Sequence, residues 1–206
     1  MADRRHFDAE EAVEAAKQVF WDRGYAGTAI DDLQAATGLS RSSLYLAFGT
    51  KRAVFDAALA DYVATFVDPR LRPLEARGAG LLDAVAYFRW LAKYFAGADA
   101  SRGCLYINSI SELAGRDPTF THAATEFTNR VRAAFHNSVG DAADDGTKES
   151  TRSSQRAAML TAAFLGAWLD VRSDAATAAA GCREIAKEIT SWGPQARGSV
   201  GVKGAE

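Results

Sequence analysis

The sequence of 206 residues has little cysteine, proline or histidine, with two, four and three of these residues respectively. Two cysteines are too few for a disulfide framework and fit a reducing compartment. The histidines have no metal-ligand spacing, and HExxH, CxxC and Gly-rich phosphate motifs are absent. The sequence also shows no nucleophile paired with a base. We therefore expect no catalytic residues, no metal site and no cofactor.

Long apolar runs are also missing. The longest, residues 157–169, has thirteen residues, whereas a helix needs about 20 to span a membrane. The N-terminal stretch MADRRHFDAEEA is charged and lacks the apolar centre of a signal peptide. We therefore expect a cytoplasmic protein without a membrane partner, in which residues 157–169 form a buried helix.

Strand-like alternation and internal repeats are absent, and apolar residues instead recur every three or four positions. This pattern predicts an all-α protein with about nine helices, in which prolines 69 and 73 disturb the chain after the fourth helix. We expect a three-helix domain over 1–50 and a larger helical domain over 51–192. Residues 193–206 are rich in glycine and have little to bury, which predicts a disordered tail.

One segment lacks carboxylates altogether. No Asp or Glu occurs in residues 33–55, while Arg41, Lys51 and Arg52 give it a local charge of +3. Within it, ATGLS joins two short helices through Gly38, as in a helix-turn-helix. Because DNA carries one negative charge per about 1.7 Å of its axis, hydroxyls and cations suit a groove-facing helix and carboxylates do not. Lys51 starts a helix against the dipole, which suggests an external anion.

The stretch GYAGTAIDDLQAATGLSRSSLYLAFGTKRAVFDAAL resembles the DNA-binding domain of the tetracycline-repressor (TetR) family of bacterial regulators. The resemblance covers residues 7–60. It implies a three-helix DNA-binding domain, joined by a fourth helix to a helical domain that binds a small-molecule effector and dimerises. Most members repress transcription and leave DNA when the effector binds. By position, the DNA contacts would come from Thr28, Ser40, Arg41, Ser42, Ser43, Tyr45 and Lys51.

The last two predicted helices point to a homodimer. MLTAAFLGAWLDV is apolar nearly all round, so it needs cover, and a second copy of the chain provides it. The predicted interface residues are Met159, Ala162, Ala163, Gly166 and Ile185. A two-fold axis would place two recognition helices on a near-palindromic double-stranded operator.

The effector site is harder to predict, because aromatic side chains suit a protein core and a ligand pocket equally. The predicted lining consists of Phe88, Cys104, Tyr106, Ile107, Asn108, Phe127 and Trp168. Cys104 opens the sixth predicted helix, where free N–H groups and the nearby Arg102 stabilise a thiolate. It is therefore either a sensor or pocket residue, or a small buried hydrophobe.

The leading interpretation is a ligand-responsive transcriptional repressor that binds DNA as a homodimer. An activator and an effector-independent regulator stay open as alternatives. A helical protein-interaction module is more remote, because such a helix would show an exposed apolar stripe. A small helical enzyme has no catalytic set in its favour.

Overall fold

The computed structural model describes residues 9–140 and 148–193, without the side chains of 98, 99 and 148–150. This part of the chain is helical and contains no strand, so the predicted all-α class is confirmed. The predicted tail lies outside the described residues, apart from Gly193. The α-helices are α1 (Ala9–Gly27), α2 (Ile30–Thr37), α3 (Arg41–Phe48), α4 (Lys51–Tyr62), α5 (Asp68–Glu75), α6 (Leu81–Phe95), α7 (Leu105–Leu113), α8 (Pro118–Val139), α9 (Lys148–Asp170) and α10 (Ala175–Ser191).

A π-helical turn, Val63–Val67, joins α4 to α5 without a break. It directly precedes Pro69, which lacks an N–H and whose ring crowds the carbonyl of Thr65 four residues earlier. The wider π-turn accommodates this proline, and the helix continues through Pro73. The prolines therefore disturb the helix, as predicted, but they do not end it. Counted as one helix, this unit gives the described residues the expected nine helices, besides a short 3-10 segment, Ala98–Arg102.

Helices α1 to α4 pack around a common set of buried side chains, which is continuous with the core of the other helices. Each contributes a large buried side chain: Phe20, Leu33, Leu44 and Phe55. The rings of Phe20 and Phe55 meet edge to face at 5.2 Å, so α4 completes the core that α1 begins. This arrangement fixes α2 and α3 as a helix-turn-helix unit whose outer surface is free of the core.

The larger domain is a bundle of the remaining helices. α6 packs along α10, and α8 packs on both α5 and α9. Aromatic side chains fill its interior, where Phe88 stacks on Phe135 at 5.6 Å and Phe95 meets Trp168 at 4.9 Å. α7 contacts α1 and α4 on one side and α8 and α9 on the other, so it connects the two parts of the molecule. Within the described ranges, no helix has the length and apolarity needed to cross a membrane.

Candidate nucleic-acid interface

Helix α3 presents a polar outer surface. Ser40 caps its N-terminus and accepts a hydrogen bond from the Ser43 backbone N–H at 3.1 Å. Leu44 is the one buried side chain of the helix, and it anchors α3 from the inside. We define the α3 surface as the exposed side chains on the other side: Ser40, Arg41, Ser42, Ser43, Tyr45 and Leu46. The predicted recognition helix therefore has its hydroxyls and its arginine facing outward.

The polar groups of this surface lie close together. The Ser40 hydroxyl oxygen is 2.9 Å from those of both Ser42 and Ser43, so three hydroxyls cluster at the helix start. The Arg41 guanidinium lies 5.7 Å from the centre of the Tyr45 ring. Arg41 makes no ion pair within the described part of the chain, whereas the neighbouring Arg23 and Arg52 pair with aspartates. The arrangement offers hydrogen-bond donors and one cation to an external acceptor.

Thr28 and Lys51, both predicted to contact phosphates, make contacts inside the domain. Thr28 is 1% exposed, and its hydroxyl donates to the Gly24 carbonyl at 2.6 Å. The Lys51 ammonium donates to the carbonyls of Tyr25 and Thr28, both at 2.8 Å, and lies 4.4 Å from the Tyr25 ring centre. The anionic partner inferred for Lys51 is thus replaced by two backbone oxygens. Neither side chain belongs to the α3 surface.

Glu112 of α7 holds the same turn from its other side. Its carboxylate accepts hydrogen bonds from the backbone N–H groups of Tyr25 at 2.9 Å and Ala26 at 2.5 Å. Gly24 has φ 72° and ψ 175°, and a Cβ there would lie 2.7 Å from Glu112 Oε2. The segment 24–28, which we call the α1–α2 turn, is therefore clamped between Lys51 and Glu112. Sequence reasoning missed Glu112, although it is the one acidic residue of α7.

A second set of contacts ties α1 to the segment before α7. Arg102 pairs with Asp22 at 2.8 Å and donates to the Gln18 side chain at 2.9 Å. Its guanidinium lies 4.4 Å from the Trp21 ring centre, and the Trp21 indole donates to the Gly103 carbonyl at 3.1 Å. A movement of residues 102–112 would therefore directly displace α1, the helix that supports the recognition unit.

The predicted effector-pocket side chains mostly pack against one another or their neighbours. Those residues are Phe88, Cys104, Tyr106, Ile107, Asn108, Phe127 and Trp168, of which all but Asn108 are buried. Tyr106 and Phe127 stack at 4.0 Å, and the Asn108 amide donates to the Arg102 carbonyl at 2.8 Å. None of the seven lines either of the two cavities described below. They are core residues here, because their own rings and methyl groups fill the space between the helices.

Cys104 is a buried packing residue in this structure. Its side chain is 2% exposed, and burial raises the pKa of its thiol. The start of α7 therefore does not produce a reactive thiolate, because removal from water outweighs the helix dipole. Burial likewise raises the pKa of Cys182 to about 11. Of the two alternatives for Cys104, the structure favours the small hydrophobe.

The predicted dimer residues border an open apolar face on α9. Met159 is 49% exposed, Ala162 is exposed, and Ala163, Gly166 and Ile185 are half-buried. A Cβ added at Gly166 would meet no atom within 4 Å. Small side chains and open space allow another helix to approach this face closely.

The described regions contain cavities on both sides of α6. One, of about 250 Å³, lies between α5 and α6 and is lined by Arg70, Leu74, Tyr87, Trp90 and neighbouring residues. The other is a broad groove of about 640 Å³ between α6 and α10, lined by Arg89, Lys93, Arg183, Lys187 and several small residues. No group of His, Cys, Asp and Glu in the same regions could hold a metal ion.

Comparison with known proteins identifies relatives of the N-terminal helices. Residues 12–58 match the family model described as bacterial regulatory proteins, tetR family. The chain is similar to the HTH-type transcriptional repressor ComR of Escherichia coli K12, with 33% identity over 108 residues, 52% of this chain and 51% of ComR. It is also similar to the uncharacterized HTH-type transcriptional regulator YezE of Bacillus subtilis 168, with 28% identity over 146 residues, 71% of this chain and 75% of YezE.

The fold is shared over nearly the whole chain with a solved regulator. A cysteine mutant of the TetR family transcriptional regulator CifR, in complex with 26-base-pair operator DNA, superposes with a TM-score of 0.75. The two are 21% identical, and the match covers 94% of this chain and 100% of that one. The chain spans about half the length of ComR, so the sequence similarity to ComR bears on part of that protein. Residues 12–58 thus match the tetR family of bacterial regulatory proteins, and the chain as a whole is similar to regulators of that family in sequence and fold.

Proposed function

We propose that the protein is a transcriptional repressor that binds a near-palindromic double-stranded DNA operator as a homodimer and leaves it when a small-molecule effector binds. The observation that carries the proposal is the α3 surface, which has no carboxylate and combines a hydroxyl cluster with an arginine that forms no ion pair with any described residue. A helix of this composition enters the major groove without repulsion from the phosphates.

The residues of the α3 surface divide by chemistry. Arg41 has the planar fork that reads guanine in the major groove, and the serine hydroxyls donate to bases or phosphates. Tyr45, with its ring beside Arg41, is placed to donate its hydroxyl to a phosphate. Leu46 is 90% exposed, and an apolar side chain at that place suits the methyl group of thymine.

The apolar face of α9 supports the homodimer. Met159 and Ala162 lie on it next to the open space at Gly166. A two-fold contact through α9 and α10 would set the two α3 helices about 34–36 Å apart, or somewhat more, which is the distance between successive major grooves on one side of DNA. Such a dimer requires two operator half-sites in inverted repeat.

Repression is favoured over activation because two relatives, ComR and BdcR of Escherichia coli K12, are named as transcriptional repressors. An activator or an effector-independent regulator would use the same α3 surface, so a reporter gene must separate these alternatives. Because bacterial chromosomal DNA is the partner, we place the protein in the cytoplasm. We propose a regulatory and not a catalytic role, since the relatives are regulators.

The test begins with selection of bound sequences from a random DNA duplex library. We expect an enriched inverted repeat, bound by two chains as measured by light scattering of the complex. A reporter gene placed behind the selected sequence should be less active when the protein is present. Enrichment of no sequence, or binding by a single chain, would contradict the proposal. Increased reporter activity would instead support the activator.

A further inference from the structure

The cavity between α5 and α6 combines apolar walls with two charged side chains. The rings of Tyr87 and Trp90 and the side chain of Leu74 form much of the wall, and Arg70 and Asp83 reach it. Its volume of about 250 Å³ falls just below the range of roughly 300–1,000 Å³ that is usual for ligand sites. A molecule that fits there is therefore smaller than most drugs.

Arg70 has donors that the protein leaves unused. Its guanidinium lies 3.9 Å from the Phe66 ring centre and 5.0 Å from that of Trp90. One terminal N–H donates to the Phe66 carbonyl at 2.6 Å, while the buried Nε–H has no hydrogen-bond partner among the described residues. A guanidinium has five donors, and a buried donor without a partner is unfavourable. Since the Nε atom itself is fully buried, an acceptor in the cavity would bind the terminal donors of the guanidinium instead.

Carboxylates nearby do not fill this need. Arg130 pairs with Asp68 and Glu75 of α5, each at 2.7 Å, whereas Arg70 makes no ion pair in the described ranges. Asp83 lies on the cavity wall, but its carboxylate accepts the Gly80 backbone N–H at 2.8 Å and caps α6. A bound anion would thus face a guanidinium that forms no ion pair with any described residue and a carboxylate that already accepts a backbone hydrogen bond.

We propose that this cavity binds a small monocarboxylic acid with an aromatic or short aliphatic body, and that this acid is the effector. Its carboxylate accepts paired hydrogen bonds from Arg70, which guanidinium and carboxylate form with matched geometry. Its apolar body lies against Trp90 and Tyr87. Asp83 disfavours a second negative charge on the ligand. The effector role rests on the proposed function, whereas the binding site does not.

Phe66 connects the cavity with the DNA-binding domain. It lies in the π-turn, its carbonyl accepts from Arg70, and its ring is 6.1 Å from that of Trp90. The same ring is 6.1 Å from Trp21 of α1. A carboxylate that draws Arg70 away from the Phe66 carbonyl removes one bond that holds the π-turn. Binding then favours a different position of Phe66, and Trp21 transmits the difference to α1.

The binding site is tested by NMR on the indole N–H signals, of which the chain has four, with Trp90→Phe used to assign the Trp90 signal. The probes are benzoate and hexanoate, with benzamide and hexanamide as neutral counterparts. We expect one of the acids to shift the Trp90 signal at millimolar concentration, and its amide to bind at least about tenfold more weakly. Failure of both acids to shift it, or equal binding of acid and amide, would overturn the proposal.

Two variants test the geometry. Arg70→Met should abolish the preference for the acid, whereas the matched Arg89→Met on the outer side of α6 should keep it. Ala86 is exposed and lines the cavity, so Ala86→Phe should fill the cavity without disturbing the core and should block the acid. An acid that binds Ala86→Phe as it binds the unaltered protein would refute this site even if Arg70→Met failed to fold.

The effector role is tested on the selected operator. The acid should weaken operator binding by the unaltered protein and leave Ala86→Phe unaffected. If the acid shifts Trp90 but leaves operator affinity unchanged, the effector role is overturned and the binding site stands. If the protein binds no DNA sequence, the proposed function fails, and the Trp90 titration alone decides the site.

Discussion

The α3 surface and the α1–α2 turn lie in the same small domain, yet they differ in whether their charged groups have partners inside the protein. On the α3 surface, Arg41 has no ion-pair partner in the described ranges, and the hydroxyls bond mainly to one another. In the turn, Lys51 donates to two carbonyls and Glu112 accepts from two N–H groups. The groups of the α3 surface are therefore available to an external partner, whereas the groups around the turn stabilise the domain.

Because of this contrast, we expect substitution of Arg41 and substitution of Lys51 to affect different properties of the protein. Loss of Arg41 should affect DNA binding and leave folding unchanged. Loss of Lys51 should affect folding first and DNA binding as a result.

Lys51→Met should lower the free energy of unfolding by about 3 kcal/mol, because two carbonyls of the turn lose a charged donor. Urea denaturation measures the change, with Lys93→Met on the exposed side of α6 as a control that should stay near the unaltered value. The dependence of operator binding on salt should keep its slope. A slope reduced by about one, together with unchanged stability, would show that Lys51 contacts a phosphate.

Gly24→Ala should lower the free energy of unfolding by about 2 kcal/mol, because its backbone conformation is one that few residues other than glycine adopt. The new Cβ would also displace the Glu112 carboxylate. Gly27→Ala is the matched control, since its Cβ would meet its nearest neighbour at 3.8 Å and its φ is not positive. Equal stability of the two variants in urea would mean that the turn is not held as described.

Arg41→Ala should weaken binding to the selected operator by about 1–3 kcal/mol and relax the preference at one base position. Its thermal stability should stay unchanged, because Arg41 is exposed and makes no ion pair within the described part of the chain. Fluorescence anisotropy with single-base operator variants measures both effects, and Arg77→Ala provides an exposed arginine outside the α3 surface. If Arg41→Ala keeps the operator affinity and the base preference of the unaltered protein, Arg41 does not contact the operator.

The thiols should show the smallest effect. Burial raises the pKa of both Cys104 and Cys182, so neither forms a thiolate near neutral pH. A thiol reagent should react with the native protein slowly and only as it unfolds, with no loss of operator binding beforehand. If the native protein reacts rapidly with the reagent below about pH 8.5 and Cys104→Ser does not, Cys104 is a reactive thiol that can act as a sensor.

The sequence was sufficient for the features that depend on local pattern. Apolar spacing located the helices, and the missing carboxylates of residues 33–55 located the α3 surface. The partners of Lys51 and Glu112 could not be predicted, because Lys51 is 26 and 23 residues from its two carbonyls, and Glu112 is 86 to 87 residues from the N–H groups that donate to it. The effector pocket was hard to predict for another reason: residue identity cannot tell an aromatic side chain that lines a space from one that fills it.

The most direct test of the account adds one carboxylate to the α3 surface. Ser43 is the third residue of α3, where an acidic side chain stabilises a helix, so Ser43→Asp should fold at least as stably as the unaltered protein. Facing phosphates, the same carboxylate should weaken operator binding by about 2 kcal/mol or more. The measurement is the operator dissociation constant of Ser43→Asp beside that of Ser173→Asp, which adds the same charge at an exposed position in the turn after α9. If the α3 surface faces phosphates, Ser43→Asp loses affinity while Ser173→Asp keeps it; equal affinities of the two variants would show that this surface does not face DNA.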